Sequence, residues 1–176
     1  MYILGKKVIL RAIEEEDNEM LRGMLNDPQI ERAVGGWSFP VSRHAQMEWF
    51  KKQGPNPSAL RCIIETLEDK QAVGLMSLTN IDYKNGTAEC NGKLIASNQG
   101  KGYGPDAHRA MFKYAFCELR LNCIYANILE SNIASIKMFD KLGLKREGVL
   151  RQRVYKQGKY ENVVAMSLLK SEFNYD

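Results

Sequence analysis

Gln99-Gly100-Lys101-Gly102-Tyr103-Gly104 places three glycines in five positions, just ahead of a helix-like segment. With no Cβ atoms in the way, backbone N–H groups of such a loop can turn toward one point, and the helix start adds its positive end. Capture of a phosphate or pyrophosphate suits that arrangement. A tight strand-to-helix connection that binds nothing uses glycines equally well, so the loop alone leaves both readings open. Its neighbours remove two kinds of nucleotide site. A mononucleotide P-loop needs Lys followed by Ser or Thr as the helix begins, and here Pro105 and Asp106 follow Gly104. A dinucleotide fold puts its loop after the first strand of a parallel sheet, whereas this one follows three consecutive strand-like runs.

Glu89 stands mid-strand between Ala88 and Cys90. A carboxylate there needs a cleft or a partner. Facing a cleft it can act as a general base; salt-bridged or turned to solvent it is structural. Asn132 opens a second helix-like segment and can cap it, and Ser135 stands in the same first turn.

The elements that must position these residues follow from periodicity and turn chemistry. Residues 7–13 (KVILRAI) alternate and read as a strand. Asp17 can cap a helix with Met20, Leu21, Met24 and Leu25 on one face, which Asp27-Pro28 ends. A glycine-proline loop carries Trp37 and Phe39, and a second helix over about 42–52 sends Trp49 and Phe50 to the core. Residues 60–66, 72–81 and 87–96 are meander strands, the last two joined by an Asn85-Gly86 hairpin. After the glycine loop a helix starts at Pro105 and buries Ala107, Met111, Phe112 and Phe116. Residues 123–129 form a strand, 132–142 a helix closed by Gly143, and 144–155 with 160–169 a final hairpin around Gln157-Gly158. The order β-α-α-β-β-β-α-β-α-β-β, without repeat or linker, gives one mixed α/β (α+β) domain over residues 1–176, a central, mostly antiparallel sheet flanked by helices.

Composition narrows the function classes. With 44% hydrophobic and 26% charged residues over 176 positions, the chain can bury an ordinary core. Its apolar runs are far too short to cross a bilayer and its first residues show no signal-peptide pattern, which reads as cytoplasmic, with no membrane partner. Cys62, Cys90, Cys117 and Cys123 form no CxxC pair and sit in apolar runs, so buried, reduced thiols are expected. His44 and His108 lack ligand spacing, so no metal is expected. A net charge of +4, with no basic stripe among aromatics, points to no nucleic-acid partner and can help with an anionic ligand.

The loop 99–104 resembles the Q/R-x-x-G-x-G/A signature of GNAT acetyltransferases, and residues 132–143 (NIASIKMFDKLG) resemble that superfamily's N-x-x-(A/S)-I-x-x-Y/F-x-K-x-G-F segment. Glu147-Gly148 and residues 155–172 continue the likeness. The N-terminal strand, Asn26-Asp27-Pro28 and the loop before the second helix are similar to the branch of ribosomal-protein N-terminal and spermidine/spermine acetyltransferases. The resemblance implies an N-acetyltransferase that moves acetyl from acetyl-CoA, its cosubstrate, to a primary amine: a polyamine, a protein N-terminus, or an amino sugar or antibiotic. It implies that Gln99, Gly100, Lys101, Gly102, Tyr103 and Gly104 grip the pyrophosphate. Backbone groups of Leu94, Ile95 and Ala96 would meet the pantetheine and acetyl carbonyl, and Asn132, with Ser135 and Lys141 in the same segment, would hold the cofactor's arm. Related enzymes carry Ala-Glu where Ala88-Glu89 stands, which supports Glu89 as base.

Many members place a tyrosine where Phe139 stands, to protonate the departing sulfur. Phenylalanine has no proton to give. Either Tyr155 supplies it (Tyr103 and Tyr160 are alternatives), or the thiolate leaves toward water. An acetyl-CoA-binding module with little turnover is the alternative to an enzyme, and a nucleotide-binding regulator using the same loop is a third reading. Trp37 and Phe39 are expected to wall the acceptor site. The acids Glu14, Glu15, Glu16, Asp17 and Glu19 fit a polyamine, or simply a solvated helix start. A homo-oligomer is compatible with all of these readings.

Overall fold

The computed structural model describes residues 1–36 and 39–175. Strands β1 (Ile3–Leu4), β2 (Val8–Arg11), β3 (Leu60–Thr66), β4 (Ala72–Asp82) and β5 (Thr87–Leu94) pair antiparallel, each with the next. Strand β6 (Cys123–Leu129) lies parallel to β5, and β8 (Lys159–Leu169) runs antiparallel to β6 and to β7 (Lys145–Lys156). The sheet order is β1-β2-β3-β4-β5-β6-β8-β7, so the mixed α/β architecture with a mostly antiparallel sheet stands. The helices are α1 (Asn18–Asn26), α2 (Pro28–Ala33), α3 (Arg43–Lys51), α4 (Tyr103–Cys117) and α5 (Ile133–Lys141). None of those described is long and apolar enough to cross a membrane.

The period of two along β4 and β5 divides the sheet's faces. Met76, Leu78, Ala88 and Cys90 join the core around α4, whose Met111, Phe112 and Phe116 are wholly buried. Each such side chain contributes roughly 1.5–3 kcal/mol of apolar burial. Leu75, Ser77 and Thr79 turn to the other face, beneath α1 and α3. Buried Gln46 of α3 donates to buried Asn18 of α1 at 3.3 Å, fixing one helix against the other.

Several boundaries differ from the sequence expectation, each for a local reason. The two-residue β1 is too short to show periodicity; the carboxylate of Asp106 on α4 fastens its turn by accepting N–H groups from Lys6 (3.0 Å), Lys7 (2.7 Å) and Val8 (3.1 Å). Asp27-Pro28 does end α1, and it also starts α2: Asp27 accepts the N–H of Gln29 at 2.7 Å, with Pro28 in the first turn. Asp17 makes no side-chain cap on α1. It is buried against the Arg11 guanidinium, at 2.8 and 2.9 Å, and closes a 3-10 turn at Glu15–Asp17. Strand β5 stops at Leu94 because Ala96–Asn98 forms a 3-10 turn, and α4 starts at Tyr103, ahead of Pro105. Cys62 and Cys90 are buried, Cys123 partly so, but Cys117 at the end of α4 is exposed. Burial pushes the Cys62 thiol up to about 11 and raises that of Cys90 as well, which leaves both unreactive near neutral pH.

Candidate active site

Strands β5 and β6 are paired only from Thr87↔Cys123 to Glu89↔Tyr125. Beyond that point β5 stays with β4 as far as Leu94, β6 stays with β8 as far as Leu129, and the facing edges diverge. Ile95 gives its N–H to Val73 at 3.0 Å, on the β4 side. By the alternation of an antiparallel ladder, Leu94 and Gly92 turn their N–H groups to the opposite edge, into the split. The amide of Ile95 is therefore spent within the sheet, and Gly92 joins Leu94 as an available backbone donor.

The split opens into a cavity of about 650 Å³ that reaches both faces of the sheet. Leu21 and Met24 of α1 and Trp49 of α3 wall one side; Asn132, Ser135 and Phe139 wall the other. Trp49, expected in the core, is half-buried at the cavity wall. Helical spacing alone cannot separate a core face from a cavity face.

Glu89 sits at the apex of the split. Its Oε1 accepts from Asn127 Nδ2 and its Oε2 from Asn80 Nδ2, both at 3.0 Å. Asn80 reaches it from an irregular stretch of β4, where the register shifts between Thr79 and Asp82 and Asn80 has φ 51°. Both donors are neutral amides, and among the described residues no cation pairs with Glu89. Each carboxylate oxygen keeps acceptor capacity for an incoming N–H.

At the other end, Gly102 caps α4 with φ 85° and Gly100 has φ 77°, conformations that favour glycine. Among the described residues no side chain caps α4, which leaves its first-turn N–H groups open to a ligand. Lys7 Nζ donates to Lys101 O at 3.2 Å, and Gln99 Nε2 reaches Leu94 O at 3.4 Å, bracing the loop against β5. A second hollow runs from Gly102 past Lys6, Lys7 and Arg109 to Lys137 and Lys141 of α5, an electropositive surface beside an open helix start. Tyr103 packs on the core, and a Cβ added at Gly104 would meet Leu94 and Met138 at ordinary contact distance.

Asn132 spends both ends of its side chain inside the protein. Oδ1 accepts Ser135 N at 3.1 Å, capping α5, and Nδ2 donates to Ala33 O of α2 at 2.8 Å. The side chain thus borders the cavity as a brace between two helices.

A profile of the acetyltransferase (GNAT) domain matches residues 7–145. The chain belongs to the GNAT acetyltransferase family. As a GNAT protein it is an acyltransferase whose cosubstrate is acetyl-CoA. It is 30% identical to the N-acetyltransferase p20 of Bacillus licheniformis, over 96% of each chain. It is 24% identical to the spermidine N(1)-acetyltransferase of Vibrio cholerae, over 97% of each. A crystal structure of the Vibrio cholerae enzyme, in complex with CoA and spermine, matches with a TM-score of 0.88 at 25% identity, covering 94% of this chain and 97% of that one.

Within this GNAT fold, not every expected residue reaches the split. Tyr155 lies on β7, 60% exposed, edge-on to Tyr160 with ring centroids 5.0 Å apart. It borders a separate hollow together with Phe39, which is 68% exposed. Trp37 lies outside the described residues. Among the described residues no tyrosine lines the main cavity. Phe139 does line it, edge-on to His108 with centroids 5.0 Å apart. His108, weighed in the sequence only as a metal ligand, belongs to this site: Nδ1 donates to Gly104 O at 2.8 Å, and buried Nε2 has no partner among the described residues. Burial pushes its pKa down to about 4, so the ring is neutral. A Cβ at Gly92 would run into this ring, which explains a glycine in mid-strand.

Proposed function

We propose that this GNAT enzyme transfers acetyl from acetyl-CoA to a primary amine by direct attack in a ternary complex. The observation that carries the proposal is the Glu89 carboxylate at the apex of a split open to both faces of the sheet. The cofactor's pyrophosphate takes the glycine loop at the start of α4, and its arm runs along the split beside Asn132 and Ser135. The amine enters from the α1/α3 face. Glu89 takes a proton from the ammonium, and the freed nitrogen attacks the thioester carbon. Gly92 and Leu94 N–H groups face the oxygen as it gains charge. The C–S bond then breaks, the electron pair leaves on sulfur as thiolate, and the amide nitrogen loses its remaining extra proton to solvent. Holding both reactants in one cleft supplies up to roughly 7–11 kcal/mol of the acceleration.

The thiolate leaves without a phenolic donor, consistent with Phe139 at the cavity wall. A free thiol titrates near roughly 8.5, so departure as thiolate is inexpensive. Polyamines, protein N-termini, amino sugars and amino antibiotics all present the required amine; the Vibrio cholerae relative acts on spermidine. CoA release over such a panel tests the proposal: amine-dependent release supports it, and none with any amine rejects it. A cofactor-binding module with little turnover is the reading that the missing phenol favours. Phe139→Tyr separates the two. Under the enzyme proposal CoA release changes by less than about tenfold; a gain of about a hundredfold means that a missing proton limits the natural protein.

A further inference from the structure

The acceptor side of the cavity is electropositive. Its described charged lining consists of Arg61, Lys93 and Arg153 against the single carboxylate of Glu89. Arg61 and Lys93 share the inward face with Glu89, through the cross-strand rows Arg61–Ser77–Asn91, Leu75–Lys93 and Thr79–Glu89. Of the acids on the surrounding elements, Asp17 and Glu65 pair with Arg11, Glu19 with Arg22, Glu31 with Lys156 and Glu48 with Lys51, and none of Glu14, Glu15 and Glu16 ahead of α1 lines the cavity. Among the described residues, neither Arg61 nor Lys93 has a carboxylate within ion-pair distance. Lys93 is the more telling of the two. Burial, and then the nearby Lys156 charge, push its pKa down, so this half-buried ammonium lacks the counter-charge that would stabilise it.

Such a wall repels a polycation and suits a ligand that brings its own anion. Glu89 and Lys93 lie four residues apart on one strand face, so their Cα atoms are about 13 Å apart. That distance, less the reach of the two side chains, fits a short molecule. Resting on the amine-acetylation proposal above, we infer that the acceptor is a small amine carrying a carboxylate or a phosphate. Its ammonium faces Glu89 and its anionic end faces Lys93 and Arg61.

Four compounds of similar length test this: γ-aminobutyrate, aminopropyl phosphate, putrescine and butylamine, with spermidine added as the polycation. Affinity for the CoA-saturated protein is measured by calorimetry, and kcat/KM by CoA release. The anionic amines are expected to bind about tenfold or more tighter than putrescine and spermidine, and the better of the two identifies carboxylate or phosphate as the anion. Lys93→Glu should reverse that order, and Lys93→Gln, the milder change, should erase it. Equal affinities, tighter binding of the polycations, no binding by any amine, or a preference untouched by both variants would overturn the inference. Binding with the expected preference but no CoA release by any amine would uphold the pocket chemistry and count against the acetyl-transfer proposal instead.

Discussion

Glu89 is held by two amide N–H groups that arrive from different strands, so its position depends on Asn80 and Asn127 as much as on its own backbone. Glu89→Gln keeps the shape but puts a third amide NH₂ among the two donors, and it removes the base. CoA release should fall by roughly a hundredfold or more near neutral pH and recover in part at higher pH, where the amine loses its proton unaided. An equal loss at every pH would show that the carboxylate only orders the site. His108 gives a second prediction. An unfolded histidine titrates near 6.5, while the folded ring does so at about 4. Above pH 6.5 both forms are neutral and stability is flat. Below it the unfolded chain takes up a proton that the folded chain refuses, so stability falls as pH drops from 6.5 toward 4, by roughly 3 kcal/mol in all. His108→Leu removes that slope and the partnerless Nε2, at the expense of the edge contact with Phe139. Urea unfolding across this range should show the variant gaining on the wild type as pH falls; parallel curves would count against the assignment.

Elements meet their ends through side chains far away in sequence, and Asp106 is the clearest case. Its carboxylate collects three N–H groups of the β1–β2 turn, about a hundred residues distant. Asp106→Ala should cost about 2–3 kcal/mol in urea unfolding, since charge-assisted bonds to backbone are the stronger kind. Loss of less than about half that would mean that pairing with β2 alone holds the strand. The same fact explains what could be read from the sequence and what could not. Strands β3 and β6 show their bounds directly, because β-branched and aromatic residues fill them and turn residues flank them. The glycine loop and Glu89 were legible as chemistry because glycine clusters and mid-strand carboxylates are costly without a purpose. Strand β1 and helix α2 were not, being too short for a period and dependent on Asp106 and Asp27. Nor were Asn80, Asn127 and Lys93 as site residues, since only the pairing of β4, β5 and β6 brings them to one cavity.

At the scale of the whole molecule, the sheet consists of two antiparallel blocks, β1 to β5 and β6 to β8, joined by three residue pairs. A ligand lying across their split binds only the folded arrangement. Acetyl-CoA at a hundred times its dissociation constant should add about 2.7 kcal/mol, or roughly 5–10 °C in unfolding temperature for a chain of this size. Gly102→Val forces a branched side chain into φ 85° beside Lys7 Nζ, and it should abolish this shift while leaving a cooperative transition; an undiminished shift would remove the loop from the binding site. The narrow joint has a further consequence for cooperativity. Away from the two lips each block satisfies its own backbone hydrogen bonds, so the seam between them is the sheet's natural fracture line, bridged mainly by the side chains packed around α4. A cofactor that accepts bonds from one lip and packs on the other would complete the missing stretch of ladder. Occupancy of the catalytic centre and the coupling of two folding units would then be one event, observed once as turnover and once as slowed amide exchange along both lips.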